Sequence, residues 1–460
     1  MNIIVCGAGK VGYSISKQLS SQGHSITVID QSSEDIQKIN ENLDAKGVVG
    51  RATFPSVLEK AGAEEADMII AVTKNDETNM VICQISHSIF NIAKKIARIR
   101  NQEFLGSKWT KLYGKSNLPI DVIISPELEV AKSLRRKLEA PGALDNMPFA
   151  EGKVNVLEIN ISEKCPLINT ELSKLTQRFP DLRANVLGVI RENKFVILKK
   201  SDKILINDKA FVVVSANQIN KTLLAFGHEE KMAKKILIVG GGNIGFNLAK
   251  ILEDDTDGSP VRVKIIEKNK ERAEFIANIL NDTIVINGNG LDEDILKEAN
   301  IEEAETILSL TNDDEDNIMV SVLAEKNNPN KRTIALVNKP NYSLLQSSLK
   351  IDDLVDPRLT TISTILKHVH KGTIETVYTL LDGEYEFIEA EVLETSELIS
   401  KSIKDSNLPM EIRIGAVVRN KEVIIPKSDF KFEKKDVVIF LTKRDHLEKA
   451  ESLFRISSFA

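Results

Sequence analysis

Two stretches of this 460-residue chain could cradle a phosphate. Gly7-x-Gly9-x-x-Gly12 follows the apolar run NIIVC directly, Gly240-x-Gly242-x-x-Gly245 follows KILIV, and each opens a helix-like segment. In such a turn the first glycine permits the bend, the second lets a pyrophosphate approach the backbone, and the third lets helix and strand pack closely. The helix N-terminus adds free N–H groups and partial positive charge. An acid follows at the end of the next apolar run: Asp30, 18 residues beyond Gly12, and Glu267, 22 beyond Gly245. A carboxylate there accepts hydrogen bonds from adenosine ribose hydroxyls and repels a 2′-phosphate. NAD(H), or an adenine nucleotide such as ATP or ADP, is therefore expected over NADP. One such turn alone could be purely structural; two in the same context point to nucleotide binding.

No GxxxxGK[ST] motif occurs, so phosphate charge must be met by backbone and by basic side chains from elsewhere. Arg98 and Arg100 alternate along KKIARIRN, which reads as a fifth strand. Alternation puts both on one side, at the carboxyl end that faces the crevice of an open α/β sheet; the other reading is a pair of solvated edge arginines. The second copy has Leu336 and Asn338 at these places, in TIALVNKPN. The two sites are thus expected to differ, with a multiply charged nucleotide in doubt at the second.

The elements that must position these residues form an internal repeat. Gly7 aligns with Gly240, Asp30 with Glu267, Gly50 with Gly288, Thr73 with Thr311 and Asn79 with Asn317, at offsets of 233 to 238. TKNDETNMV lies over TNDDEDNIM, and LGVIRENKFVILKKSD over IGAVVRNKEVIIPKSD. Continuous apolar runs separated by amphipathic stretches of about ten residues indicate a parallel sheet covered on both faces. The fold class is α/β: two doubly wound, Rossmann-like domains, each followed by a small α+β domain, in the order A-B-A′-B′. Expected bounds are 1–140, 145–228, 232–370 and 373–460. Pro126 and Pro357 open the helices that lead out of A and A′. Each B domain reads as strands around one helix, LINTELSKLTQRF in the first copy.

Composition narrows the function classes. Lys and Arg number 61 and Asp and Glu 67, a net charge of −6, which provides no large basic surface for nucleic acid. No apolar run is long enough to span a membrane, and the first strand is too short for a signal peptide, so any membrane relation is expected to be peripheral, through another protein. Cys6, Cys83 and Cys165 lie in or beside apolar stretches without a CxxC pair and read as buried free thiols. The acidic run from Asn312 lacks EF-hand spacing and reads as a solvated loop that starts a helix; EDDTDGSP reads as a surface turn. His368 and His370 point to different helix faces, and no metal site or catalytic residue is assigned.

GAGKVG, Asp30, VVGRATFPSVLEKAGAEEADMIIAVTKNDETNM and IARIRN together resemble the RCK (regulator of potassium conductance) nucleotide-binding domain followed by its C-terminal subdomain, here present twice. The resemblance implies a nonenzymatic, cytoplasmic regulatory subunit, peripheral on the inner face of the cell membrane. It would form a homotetrameric ring under a potassium-translocating subunit of TrkH or TrkG type, with NAD(H) or ATP/ADP altering the ring. By the family pattern Gly7, Ala8, Gly9, Lys10 and Val11 line the first turn, Asp30 meets the ribose, Thr73 lies beside the adenosine and Arg98 near phosphate. Gly240, Gly241, Gly242, Asn243, Ile244 and Glu267 do the corresponding work in the second copy, where Thr311 matches Thr73. The alternative from the turns alone is an NAD-dependent oxidoreductase with tandem cofactor domains; a second A domain kept only as scaffold is a further possibility.

Overall fold

The structure, a computed structural model, describes residues 1–114, 116–179, 181–192, 194–254, 261–327, 331–346, 348–369, 374–380, 384–399 and 401–454. The run EDDTDGSP from Asp255 onward, and His370, lie outside the described residues.

Strands β1 (Asn2–Cys6), β2 (Ser25–Asp30), β3 (Lys46–Val49), β4 (Met68–Ala71), β5 (Lys94–Arg98) and β6 (Val122–Ile124) form one parallel sheet in the order β3-β2-β1-β4-β5-β6. Helices α1 (Lys10–Ser21), α2 (Ser33–Asn42), α3 (Pro55–Lys60), α4 (Asp76–Ser88) and α5 (Pro126–Glu139) connect its strands and lead out. This is the doubly wound order, with the strand-order reversal between β1 and β4, beside the glycine turn. Strands β7 (Ala143–Phe149), β8 (Val154–Asn160), β9 (Ala184–Arg191), β10 (Lys194–Ile197) and β11 (Lys209–Ser215) follow as an antiparallel sheet, with helices α6 (Leu175–Arg178) and α7 (Ile219–Ala225).

The second copy repeats both. Strands β12 (Lys235–Val239), β13 (Arg262–Glu267), β14 (Ile284–Asn287), β15 (Thr306–Ser309), β16 (Arg332–Leu336) and β17 (Asp353–Val355) take the order β14-β13-β12-β15-β16-β17. Helices α8 (Asn243–Asp254), α9 (Lys270–Ile279), α10 (Glu293–Glu298), α11 (Asp314–Asn327) and α12 (Pro357–Lys367) accompany them. A second antiparallel sheet comprises β18 (Ile374–Leu380), β19 (Tyr385–Glu391), β20 (Arg413–Arg419), β21 (Glu422–Ile424) and β22 (Val437–Lys443), followed by α13 (Leu447–Phe454). The expected fold class is the one observed.

The described residues divide into two compact units that each take one part from either half of the chain. Met1–Arg135 associates with Ala233–His368, and Arg136–Met232 with the segment that begins at Val369. In the first unit the central parallel strands are buried, as the apolar runs require: Ile3, Ile4, Val5 and Cys6 of β1, and Met68 to Ala71 of β4. Helix α1 buries Gly12, Ile15, Ser16 and Leu19; each of the two aliphatic side chains contributes about 1.5–3 kcal/mol. Helix α12 of the second copy packs against α1 and β6 of the first.

In the second unit the two antiparallel sheets share one core. Phe149 meets Tyr378 edge to face at 5.2 Å between centroids, Phe195 lies 4.6 Å from Tyr385, and Phe211 lies 5.9 Å from Phe387. Each sheet also carries the same ion pair, between a buried aspartate and a partly exposed arginine. Arg191 Nε donates to Asp208 Oδ1 (2.8 Å) and Arg419 Nε to Asp436 Oδ1 (2.8 Å); a second guanidinium N–H reaches the other oxygen at 2.7 Å in both cases. The same carboxylates accept Leu205 N–H and Glu433 N–H, which closes the loop before β11 and before β22.

Two expectations are corrected. The segment Leu167–Phe179 is not one helix: it holds a short 3-10 turn at Leu172–Lys174 and a single α-turn, α6. Ile168 instead bridges to Ile204, and Asn169, in the left-handed region at φ 58°, donates its N–H to Ile204 O (2.9 Å). Tertiary backbone pairing overrides the helical periodicity there. The acidic run from Asn312 does start a helix, but it is not wholly solvated, since Asp314 is 5% and Asn317 0% exposed. The three cysteines are buried and free as expected.

A Cβ on Gly12 would lie 1.8 Å from the Gly7 carbonyl oxygen, whereas Gly9 has no atom within 4 Å of one and an ordinary φ of −62°. Gly12→Ala should therefore cost about 3 kcal/mol, and Gly9→Ala no more than about 0.5 kcal/mol, in urea unfolding followed by circular dichroism. Equal costs would contradict this packing. Asp436→Ala should cost about 2 kcal/mol, because it removes two charge-assisted bonds from Arg419, which keeps Glu433 and Lys431 O, and leaves the Glu433 N–H without its acceptor; an unchanged urea midpoint would show the pair to be inert.

Candidate functional site

The two turns are built alike, atom for atom. Gly7 and Gly240 bend in the left-handed region at φ 111° and 110°. Asp30, at the end of β2, accepts Ala8 N–H on Oδ2 (2.6 Å) and Ser32 N–H on Oδ1 (2.9 Å). Glu267, at the end of β13, accepts Gly241 N–H on Oε2 (2.8 Å) and Asn269 N–H on Oε1 (2.7 Å). The acid expected to meet a ribose therefore also closes the turn. A carboxylate offers about four lone-pair positions, so two backbone bonds leave acceptor capacity toward the crevice.

The middle glycines identify the open side. Neither Gly9 nor Gly242 has any atom within 4 Å of a built Cβ, while Gly12 and Gly245 would each collide with the carbonyl of the first glycine in their turn. Packing explains the third glycine of each motif; the second borders free space, where a pyrophosphate could approach the backbone.

A second pair of polar clamps joins the ends of the neighbouring strands. Asn79 Oδ1 accepts Thr73 N–H (2.9 Å) and Oγ1–H (2.7 Å), and its Nδ2 donates to Arg98 O (2.8 Å). Asn317 does the same for Thr311 (2.8 Å for both bonds) and Leu336 O (2.9 Å). Asp76 accepts Arg100 N–H and Asn101 N–H; Asp314 accepts Asn338 N–H and Lys339 N–H. The repeated TKNDETN and TNDDEDN segments thus fix the rim of each crevice. Repeat alignment singled out Asn79 and Asn317 without showing what they do.

Within the first unit a cavity of about 750 Å³ opens on the second turn. Gly240, Gly242, Asn243, Ile244, Glu267 and Thr311 line it, and so do Val11, Arg98, Arg100 and Glu127 of the first copy. The packing of α12 on α1 and β6 brings the end of β5 to this cavity. The expectation that the second turn lacks cationic side chains is therefore not met: Arg98, Arg100, Lys268, Arg272 and Arg358 all reach the wall. Comparison of the copies position by position could not find Arg98 and Arg100 here, because they come from the other copy; Lys268, Arg272 and Arg358 belong to the second copy itself.

Arg98 donates to Thr73 O (2.7 Å), and its buried Nε has no hydrogen-bond partner among the described residues. Burial, then the neighbouring charge of Arg100, lowers the Arg98 pKa from its ordinary value. Arg100 pairs with Glu127 (3.1 Å), whose buried Oε2 likewise has no partner among the described residues. An unpaired donor at a cationic wall facing a backbone cradle is the chemistry that phosphate oxygens satisfy. Arg272, missed in the sequence reading, donates from Nε to Gly241 O (2.9 Å) and lies over the rings of Phe246 and Phe275. Its only sequence signal is a cation where the first copy has Asp35. Among the described residues no group of His, Cys, Asp and Glu could hold a metal, and no helix is long and apolar enough to cross a membrane.

Residues 3–126 and 236–357 match the TrkA-N domain family, and residues 387–455 the TrkA-C domain family. The chain is 43% identical over 457 residues to the Trk system potassium uptake protein TrkA of Azorhizobium caulinodans, covering 99% of both chains. Its fold resembles the crystal structure of the GsuK RCK domain, with a TM-score of 0.59, 17% identity and coverage of 98% of this chain and 94% of that one. It also resembles the GsuK channel bound to NAD, with a TM-score of 0.59, 16% identity and coverage of 98% and 78%. With two TrkA-N segments, a TrkA-C segment and a full-length relative of this identity, the chain belongs to the TrkA family of Trk system potassium uptake proteins.

Proposed function

We propose that this chain is the nucleotide-binding regulatory subunit of a potassium-uptake system, and that it carries out no chemistry on its ligand. The family and the relative's name support the potassium system. The observation that carries the nucleotide reading is the cavity on the second turn, whose wall combines an open glycine backbone from one copy with Arg98 and Arg100 from the other. NAD(H) and ATP or ADP fit these groups, and the GsuK channel bound to NAD, of like fold, lends support.

The geometry supports the following roles. Gly7, Ala8, Gly9, Lys10, Val11 and Gly12 form the first cradle, with Asp30 for the ribose and Thr73 at the rim. Gly240, Gly241, Gly242, Asn243, Ile244 and Gly245 form the second, with Glu267 and Thr311. Arg98 and Arg100 hold phosphate charge across the copy boundary. A nucleotide at the second turn then touches both TrkA-N segments, so its binding free energy depends on how the two sit together. Such a dependence is what lets a ligand shift a two-state assembly, and couplings of about 1–3 kcal/mol are typical. A ligand that bound both states equally would regulate nothing.

In this reading the four domains run 1–140, 145–228, 232–370 and 373–460. Four chains close into a ring on the cytoplasmic face of the membrane, beneath a potassium-translocating subunit of TrkH or TrkG type, and the nucleotide changes the ring's shape. The output is thus potassium flux rather than hydride transfer.

Gly9→Asp and Gly242→Asp test the cradles, because each new side chain enters free space without a clash but places a carboxylate where phosphate would lie. Calorimetry should find two nucleotides per parent chain and one per chain in either variant; unaltered stoichiometry would refute the assignment. In the Gly9→Asp background, Arg98→Gln with Arg100→Gln should weaken ADP binding about tenfold or more, through loss of charge-assisted bonds. Unchanged affinity would remove these arginines from the second site.

A further inference from the structure

The loops that follow the two ribose acids have opposite charge. Residues 30–35 of the first copy hold Asp30, Glu34 and Asp35 and no cation, a net −3; residues 267–272 of the second hold Glu267, Glu271, Lys268, Lys270 and Arg272, a net +1. Lys268 and Arg272 line the cavity beside Glu267. Arg272 is held in place there: its guanidinium carbon lies 5.4 Å from the Phe246 ring centroid and 5.0 Å from that of Phe275. Its Nε donates to Gly241 O (2.9 Å), and NH2 to Asn243 Oδ1 (3.3 Å). Two of its five N–H donors are thereby used, and three remain. In the first copy Asp35 lies 3.6 Å from Lys38 on the helix surface, and the nearby Arg51 donates to Gln31 Oε1 (3.3 Å).

We propose that the second turn takes an adenine dinucleotide with a phosphate monoester on the adenosine ribose, the NADP(H) class, read by Arg272 and Lys268, while the first turn selects the unphosphorylated NAD(H) class. The inference rests on the nucleotide-binding reading above. An acid at the end of the second strand selects against a 2′-phosphate by repulsion. At the second turn that repulsion is offset by two cations, Lys268 and Arg272, that line the cavity beside Glu267. A phosphate monoester carries a charge of about −1.5 to −2 at neutral pH, and a planar guanidinium with free donors is its preferred partner. At the first turn the same phosphate would meet Asp30 and Asp35 together.

Calorimetry on the full chain carrying Gly9→Asp, which leaves only the second turn, tests this with NADP⁺ and NAD⁺. NADP⁺ should bind once per chain and about tenfold tighter than NAD⁺; in the reciprocal Gly242→Asp chain NAD⁺ should bind and NADP⁺ should not. Arg272→Gln in the Gly9→Asp chain should lower the NADP⁺-to-NAD⁺ affinity ratio about tenfold or more, and Arg272→Lys, which keeps the charge but not the planar fork, should restore only part of it. Lys268→Gln, at an exposed position, should lower the ratio without risk to the fold. A Gly9→Asp chain that binds NAD⁺ but not NADP⁺, or a ratio unmoved by both Arg272→Gln and Lys268→Gln, overturns the proposal and leaves nucleotide binding intact. A parent chain that binds neither dinucleotide, ADP nor ATP overturns both readings.

Discussion

One carboxylate per repeat holds each candidate site in shape. Asp30 and Glu267 each bridge two backbone N–H groups, one in the glycine turn and one at the start of the following helix. Such charge-assisted bonds are roughly twice as strong as neutral ones, and they tie the turn after the first strand to the end of the second. The acid's place is set by parallel pairing: Ile29 is in register with Cys6, and Ile266 with Val239, which carries the next residue to the level of the turn. Glutamate is one methylene longer than aspartate, yet both make the same pair of bonds. What recurs is the hydrogen-bond pattern, and the place proposed for a ribose is a by-product of it.

Duplication lets each kind of domain pair with its own kind. The two antiparallel sheets bury a common aromatic core, and the two parallel sheets meet through α12 on α1 and β6. The second pairing has the greater consequence for function. It adds cations of one copy to the crevice of the other, because Arg98 and Arg100 at the end of β5 line the cavity at the second turn beside that copy's own Lys268, Arg272 and Arg358. The unmatched Leu336 and Asn338 at the corresponding places are therefore no sign of a lost site.

Much of this was legible in the sequence, for identifiable reasons. Apolar runs such as NIIVC and DMIIAV are too short and too continuous for anything but buried parallel strands, so the sheet type followed from the pattern. The glycine turns, both acids and the A-B-A′-B′ repeat were readable because their chemistry is local. The helix expected at Leu167–Phe179 failed because a backbone bridge from Ile168 to Ile204, distant in sequence, governs that segment. Asp314 was read as solvated because a carboxylate's buried backbone partners, here Asn338 and Lys339, are invisible until the strand ends converge. The contribution of Arg98 and Arg100 to the wall of the second turn was missed for the same reason. Arg98 and Arg100 were recognised, but which turn they face depends on packing between copies.

In the proposed function, nucleotide occupancy of these turns controls potassium movement. Its most direct test is potassium flux in proteoliposomes holding the chain together with a TrkH- or TrkG-type subunit, titrated with NAD⁺, NADH, ATP and ADP and repeated with the Gly9→Asp, Gly242→Asp chain. The account predicts flux that changes with nucleotide in the parent and stays flat in the doubly substituted chain. Flux that responded identically in both would contradict it.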